Sequence, residues 1–124
     1  MNKGPKILII DDEKELCELI QLILKDENYQ IDCAYTLKEG KRKWLNQRPS
    51  ILILDYFLPD GSGLDLIEQE PSILFTSKVI MITGDGQSSK ERATTLGIEF
   101  FIQKPFSLKM IRELVQEIIM VQEN

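Results

Sequence analysis

Asp11, Asp12, Asp55, Thr83 and Lys104 are the residues of this chain whose chemistry adds up to a site. The acid pair directly follows Ile7-Leu8-Ile9-Ile10, and Asp55 directly follows Ile51-Leu52-Ile53-Leu54, so three carboxylates stand where two apolar runs end. Apolar runs this short suit buried strands, and if the two strands are parallel neighbours their acids converge. Each pair of charges at ~4 Å then repels by about 4 kcal/mol at an effective dielectric near 20, a cost that a bound cation or a protonation has to offset. Oxygen-rich acids suit a hard divalent ion. Mg²⁺ fits better than Ca²⁺ because it takes one or two carboxylates and fills its other positions with water and phosphate oxygen. Lys104 and Thr83, at the ends of two further apolar runs, would pair with and hydrogen-bond the oxygens of a phosphoryl group. Asp55 stands alone at its strand end and is the candidate for a carboxylate nucleophile that forms an acyl phosphate.

The elements that must hold these groups are legible as an alternation of apolar runs with helical patterns, the signature of βα units around a parallel sheet. Strands are predicted at about 6–10, 30–34, 51–54, 78–82 and 100–102. Leu16, Leu19, Ile20, Ile23 and Leu24 lie on one helical face between the first two. A second helix opens with Thr36-Leu37-Lys38-Glu39, a capping box, and carries Trp44 and Leu45 towards the sheet before Pro49 stops it. A third is expected after Gly63, ending near Pro71, with Ser72-Ile73-Leu74-Phe75 ambiguous. Ser88-Ser89-Lys90-Glu91 reads as the cap of a fourth helix closed by Gly97, poor in apolar residues and therefore the least stable. Ser107 caps the last, whose stripe is Ile111, Leu114, Val115, Ile118 and Ile119. Together these predict an α/β fold, a doubly wound five-stranded parallel sheet, in which ligands bind beyond the carboxyl ends of the strands.

The 124 residues fit one domain, 1–124, and no apolar run approaches the ~20 residues of a membrane span. Met1-Asn2-Lys3-Gly4-Pro5 is too short and polar for a signal peptide, which points to the cytoplasm. Cys17 and Cys33 have neither CxxC spacing nor a histidine beside them and read as buried thiols. A net charge of −5 argues against direct binding of nucleic acid. The chain contains no histidine, which excludes Ser-His and Cys-His nucleophile pairs and requires any phosphohistidine in the chemistry to belong to another protein.

Asp11-Asp12, Asp55-Tyr56-Phe57-Leu58-Pro59-Asp60-Gly61-Ser62-Gly63, Ile82-Thr83-Gly84 and Lys104-Pro105-Phe106 stand in an order and spacing that resemble a response-regulator receiver domain of two-component signalling, from Lys6 to Val121. The resemblance implies a flavodoxin-like sheet of strand order 2-1-3-4-5, for which a receiver is a standing example. It implies that Asp55 is phosphorylated from the phosphohistidine of a sensor histidine kinase. Asp11, Asp12, Asp55 and the backbone carbonyl of Phe57 match the Mg²⁺ ligands, and Thr83 and Lys104 match the phosphoryl-contacting pair. Phe101 matches an aromatic switch that turns inward, and Lys104-Pro105 a peptide bond that is cis in the family. The implied output is a change in the surface of the fourth helix, fifth strand and last helix. That surface would act on an output domain or effector, with transcriptional control the first choice and a homodimer through the same surface allowed. No membrane partner is implied.

Plainer readings stand beside these. Asp12 with Glu15 fits a helix capping box, Thr83 before Gly84-Asp85-Gly86 fits a turn, and Phe101 fits the core. Pro59-Asp60-Gly61 and Gly63 are turn formers, and Lys38, Lys41, Arg42, Lys43 and Arg48 read as a solvated basic helix face. Phe101 lacks the hydroxyl of the tyrosine common at its position, so switching would rest on packing alone. Phe57 is large and apolar where the family often has small or polar residues; it would shield the acyl phosphate, while Asp85 would orient water. A stand-alone receiver and a receiver cut from a longer DNA-binding regulator both fit, the latter slightly favoured because the last helix runs on as though into a linker, and two other functions stay open. A haloacid-dehalogenase-type phosphatase would want a second acid two residues after Asp55, where Phe57 stands, and a phosphorylation-independent receiver-like module would lack one of the acids, the threonine or the lysine.

Overall fold

A computed structural model describes residues 4–25, 27–84 and 87–123. In chain order these form β1 (Lys6–Ile10), α1 (Lys14–Leu24), β2 (Gln30–Ala34), α2 (Leu37–Gln47), β3 (Ile51–Asp55), a hairpin of β4 (Phe57–Leu58) and β5 (Gly61–Ser62), α3 (Gly63–Gln69), α4 (Ile73–Thr76), β6 (Lys78–Thr83), α5 (Gln87–Leu96), β7 (Phe100–Gln103) and α6 (Leu108–Glu123). The main sheet is parallel, in the order β2-β1-β3-β6-β7. With the hairpin set aside, this is the expected 2-1-3-4-5.

Strands β1 and β3 read as unbroken apolar runs because both faces of the sheet are covered. Ile7, Ile9, Ile51, Ile53, Ile80 and Ile82 face one side, against Cys17 and Ile20 of α1 and Ile111 and Val115 of α6. Leu8, Ile10, Leu52, Leu54 and Met81 face the other, against Trp44, Leu64, Ile67 and Ala93 from α2, α3 and α5. Each such side chain, fully buried, contributes about 1.5–3 kcal/mol. Both cysteines are buried free thiols. Among the described residues no helix is long and apolar enough to cross a membrane.

Several expectations are corrected. Leu19 is 45% exposed and Leu45 41% exposed. On α1, Cys17, Ile20 and Leu24 take the buried line, and on α2 the buried place belongs to Trp44, with Leu45 turned about 100° away from it. As expected, the second helix stops ahead of Pro49: its last residue is Gln47, and Arg48 caps it in left-handed conformation with φ 47°. In the capping box of α2 the Thr36 side chain accepts from the Glu39 N–H as expected, while the Glu39 carboxylate reaches one residue further back, to the Tyr35 N–H. Asp12 does not cap α1: the N-cap position falls on Glu13, without a side-chain cap. The third helix starts at Gly63 itself, Ser72–Phe75 resolves into the start of the short α4, and α5 starts at Gln87, so the serines lie in its first turn rather than ahead of it. Gly97, with φ 105°, closes α5.

Two devices fix the surroundings of the sheet. The Trp44 indole N–H donates to the Ser77 hydroxyl at 2.9 Å, which donates to the Pro49 carbonyl at 2.6 Å, tying α2 to the start of β6 inside the core. On the outer edge of β2, the Asp32 carboxylate accepts the Cys33 N–H at 2.8 Å and Lys43 Nζ donates to the Cys33 carbonyl at 2.6 Å. Gln30 and Ala34 bond inward to the β1 side, so the alternation of backbone groups along a parallel strand points the N–H and carbonyl of Cys33 to the free edge while its thiol stays in the core.

Candidate phosphoryl and metal site

Strands β1, β3, β6 and β7 deliver their carboxyl ends to one rim of the sheet, and the five sequence-predicted groups follow from this. Asp11 is the first residue past β1, Asp55 the last of β3, Thr83 the last of β6 and Lys104 the first past β7. Asp55 and Ile82 are register partners, as are Thr83 and Gln103, so the four ends are level. Asp11 is fully buried, Asp55 and Thr83 nearly so, and Asp12 is exposed. Carboxylate oxygens of Asp11, Asp12 and Asp55 all lie within 4.8 Å of one another.

The three acids are held differently. Asp11 Oδ1 accepts the Glu13 N–H at 2.8 Å, whereas its Oδ2 is buried without a hydrogen-bond partner. A buried carboxylate oxygen left bare is costly. Burial, with the charge of Asp55 adding to it, pushes the Asp11 carboxyl up to about 6, against the Glu13 hydrogen bond and Lys104, which pull the other way. Burial raises Asp55 too, while Lys104 and backbone hydrogen bonds from Phe57 and Tyr56 pull it down. Lys104 Nζ lies 3.7 Å from Asp55 Oδ2 and 3.3 Å from Glu13 Oε1. Burial alone would lower the lysine, but Asp55, Glu13 and Asp11 together raise it. The bare Oδ2, two further acid groups at metal-ligand spacing and a hard-oxygen donor set fit a Mg²⁺ ion.

The hairpin after Asp55 is shaped by its turn. Gly61 takes φ 145°, and the Asp60 carboxylate accepts the N–H groups of Leu37 and Lys38 at 2.8 and 3.1 Å, capping α2 from across the chain. Gly63 passes so close to β3 that a Cβ there would stand 2.3 Å from the Asp55 carbonyl oxygen. Phe57 is 58% exposed and packs edge-on against Tyr56, centroids 4.7 Å apart. Phe101 is half-buried on the α5 side of the sheet, with Lys90 Nζ 5.6 Å from its ring. Pro105 follows Lys104 through a cis peptide bond. Asp85 lies outside the described residues. Glu13 is the residue that sequence reasoning missed: its N–H fixes Asp11 and its carboxylate engages Lys104, and the third consecutive acid after β1 was the available signal.

Comparison with known proteins agrees with the fold. The family model "Response regulator receiver domain" matches residues 7–116. The chain is 40% identical over 102 residues to the regulatory protein VanR of Enterococcus faecium, covering 82% of this chain and 44% of VanR; it therefore spans less than half the length of that relative. A CheY-like response regulator receiver domain protein from Methanospirillum hungatei superposes with a TM-score of 0.86 at 29% identity, covering 96% of each chain. The non-phosphorylated HemR receiver domain from Leptospira biflexa gives 0.84 at 29% identity, covering 94% of each chain.

Proposed function

From the premise that this chain belongs to the response-regulator receiver family, we propose that it is one receiver unit, accepting a phosphoryl group on Asp55 from the phosphohistidine of a sensor histidine kinase. The observation that carries this is the burial of Asp55 at a strand end, among two more acids and within 3.7 Å of Lys104. A carboxylate oxygen of Asp55 forms the new O–P bond as the P–N bond to the kinase imidazole breaks, and the imidazole leaves with the electron pair. Asp11, Asp12, Asp55 and the Phe57 carbonyl would hold Mg²⁺. When bound, the ion neutralises phosphoryl oxygens and offsets the repulsion among the acids. Lys104 pairs with the developing negative charge and Thr83 donates a hydrogen bond to it.

The product carries more negative charge than a carboxylate, so Thr83 and Lys104 are drawn towards it, and the gap this leaves favours an inward Phe101. The readout is a shift in population of the α5–β7–α6 surface. Helix α5 suits this, since Ala93 is buried in the core while Lys90, Glu91 and Arg92 stand outside it. That surface controls an output domain or effector, for which the likeness to a longer regulatory protein is the support, and transcriptional control is the output this reading favours. On this reading the chain is a signalling receiver of the cytoplasm whose chemistry acts on itself alone, and this domain does not itself bind nucleic acid.

The test is intact-mass spectrometry after incubation with acetyl phosphate and Mg²⁺. Wild type is expected to gain one phosphoryl mass and Asp55→Ala none; labelling of the variant, or an unlabelled wild type, overturns the proposal. Followed over time, the same assay should show faster loss of label from Phe57→Asn, because a polar side chain lets water reach the acyl phosphate. An unchanged rate removes the shielding role of Phe57.

A further inference from the structure

The basic helix face that the sequence leaves as solvated surface borders a groove. Helices α2 and α3 and the hairpin turn border an open groove of about 460 Å³ whose walls carry Lys38, Lys41 and Arg42 beside Leu37 and Leu45. Over 37–48 the chain sets five cations against one anion, within a protein of net charge −5. Two of those cations are already engaged: Lys43 with Asp32 and the Cys33 carbonyl, and Arg48 over the Trp44 ring at 4.5 Å. Lys38, Lys41 and Arg42 make no ion pair among the described residues.

The acids of the groove offset only part of this charge, since Lys38, Lys41 and Arg42 stand against Asp60 and Asp65 in its lining. Asp60 spends both carboxylate oxygens on backbone N–H groups of α2, which holds its carboxyl below the ordinary range, and Asp65 accepts the Ser62 N–H at 2.9 Å and faces Arg92 at 3.9 Å. The groove therefore keeps an excess of positive charge along an apolar wall in which Leu45 is 41% exposed, while Asp60 and Asp65 are turned to the α2 backbone and to Ser62 and Arg92.

We propose that this α2–α3 groove is a docking site for an acidic amphipathic segment of a partner protein, with carboxylates on Lys38, Lys41 and Arg42 and an aliphatic side chain against Leu37 and Leu45. Charge complementarity selects an anionic occupant, and the leucine wall selects a peptide over a nucleic acid or a lipid surface, neither of which presents aliphatic side chains to a groove. The net negative charge of the whole chain also repels a polyanion larger than the Debye length of about 8 Å, while a short acidic segment meets only the local field. The site lies apart from the acids of the strand ends and does not depend on phosphorylation.

The test is amide NMR of the ¹⁵N-labelled full chain, titrated with a synthetic amphipathic helix bearing glutamates on one flank and leucines at i, i+3 and i+4. Shifts are expected to cluster on α2, the 59–62 turn and α3, and affinity to fall about tenfold or more in Lys41→Glu/Arg42→Glu and with added salt. The variant's circular dichroism and labelling by acetyl phosphate should stay unchanged, because neither residue touches the strand-end site. A second variant, Leu45→Ser, should weaken binding without changing charge. No shifts, shifts elsewhere, or affinity indifferent to charge reversal overturns the proposal. Binding of a DNA duplex or of anionic phosphatidylglycerol vesicles through Lys41 and Arg42, in preference to the peptide, overturns the choice of occupant.

Discussion

Asp11→Asn is expected to stabilise the metal-free protein by about 2–3 kcal/mol at neutral pH and to weaken Mg²⁺ binding about a hundredfold or more. Both effects have one origin. Asp11 is fully buried and its Oδ2 has no hydrogen-bond partner, so its negative charge is paid for in desolvation and in repulsion from Asp55. Asparagine keeps an oxygen for the Glu13 N–H and removes the charge. A ligand carboxylate that fits a hard cation is lost with it, and even partners that merely orient metal ligands are worth 10–100-fold in affinity. The pH dependence follows from the sign of the shift. The folded-state carboxyl, at about 6, lies above its ordinary value, so the folded protein binds the proton more tightly than the unfolded chain. Metal-free wild type should therefore gain stability as pH falls from about 7 through 6 towards 4, and lose it as pH rises again. Asp11→Asn should show a flatter profile, and saturating Mg²⁺ should restore wild type at neutral pH. Urea denaturation across pH, with calorimetric Mg²⁺ titration, measures all of this. A variant less stable than metal-free wild type, or one binding Mg²⁺ equally well, would contradict it.

Why this site was legible in the sequence, while parts of its frame were not, follows from where each signal is stored. Runs such as Ile7–Ile10 and Ile51–Leu54 are apolar throughout because both sheet faces are covered, and acids directly after such runs stand out without any structural knowledge. The β4–β5 hairpin and the short α4 escape because their few residues carry no period to detect. Leu19 and Leu45 mislead because leucine at helical spacing is compatible with either side of the margin, and tertiary packing chose Cys17 and Trp44 instead. The partnership of Glu13 with Lys104 joins residues 91 positions apart, which local pattern cannot hold. Asp60 as a cap for α2 is hidden for the same reason: its partners precede it by more than 20 residues.

The second large effect is expected at Trp44. Truncation to alanine should cost about 3–5 kcal/mol, a large share of the 5–15 kcal/mol that holds a typical domain together, and lower the melting temperature by about 10–20 °C. The indole is fully buried between α2 and the sheet, and its N–H is satisfied by Ser77. Ser77→Ala separates packing from hydrogen bonding, because it leaves the indole N–H buried and unpaired at a cost of about 1–3 kcal/mol while keeping the ring. Thermal melts of the two variants and of their combination test this. The double variant should fall short of the sum, since removing the indole also removes the group that Ser77 serves. Full additivity would show the bond to be energetically idle.

The outward bonds of Cys33 bear on colloidal behaviour. A free sheet edge is a template on which another chain can crystallise a further strand, and growth of that kind begins with unpaired N–H and C=O groups. At β2 the Asp32 carboxylate and the Lys43 ammonium already occupy both groups of Cys33. Burial alone would raise the Asp32 carboxyl, but its bonds to Gln47, Lys43 and the Cys33 N–H outweigh this and hold it below the usual carboxylate range. This part of the seal therefore stays charged to lower pH than an ordinary carboxylate would, and the Cys33 groups of β2 stay closed to intermolecular zippering as the solution is acidified.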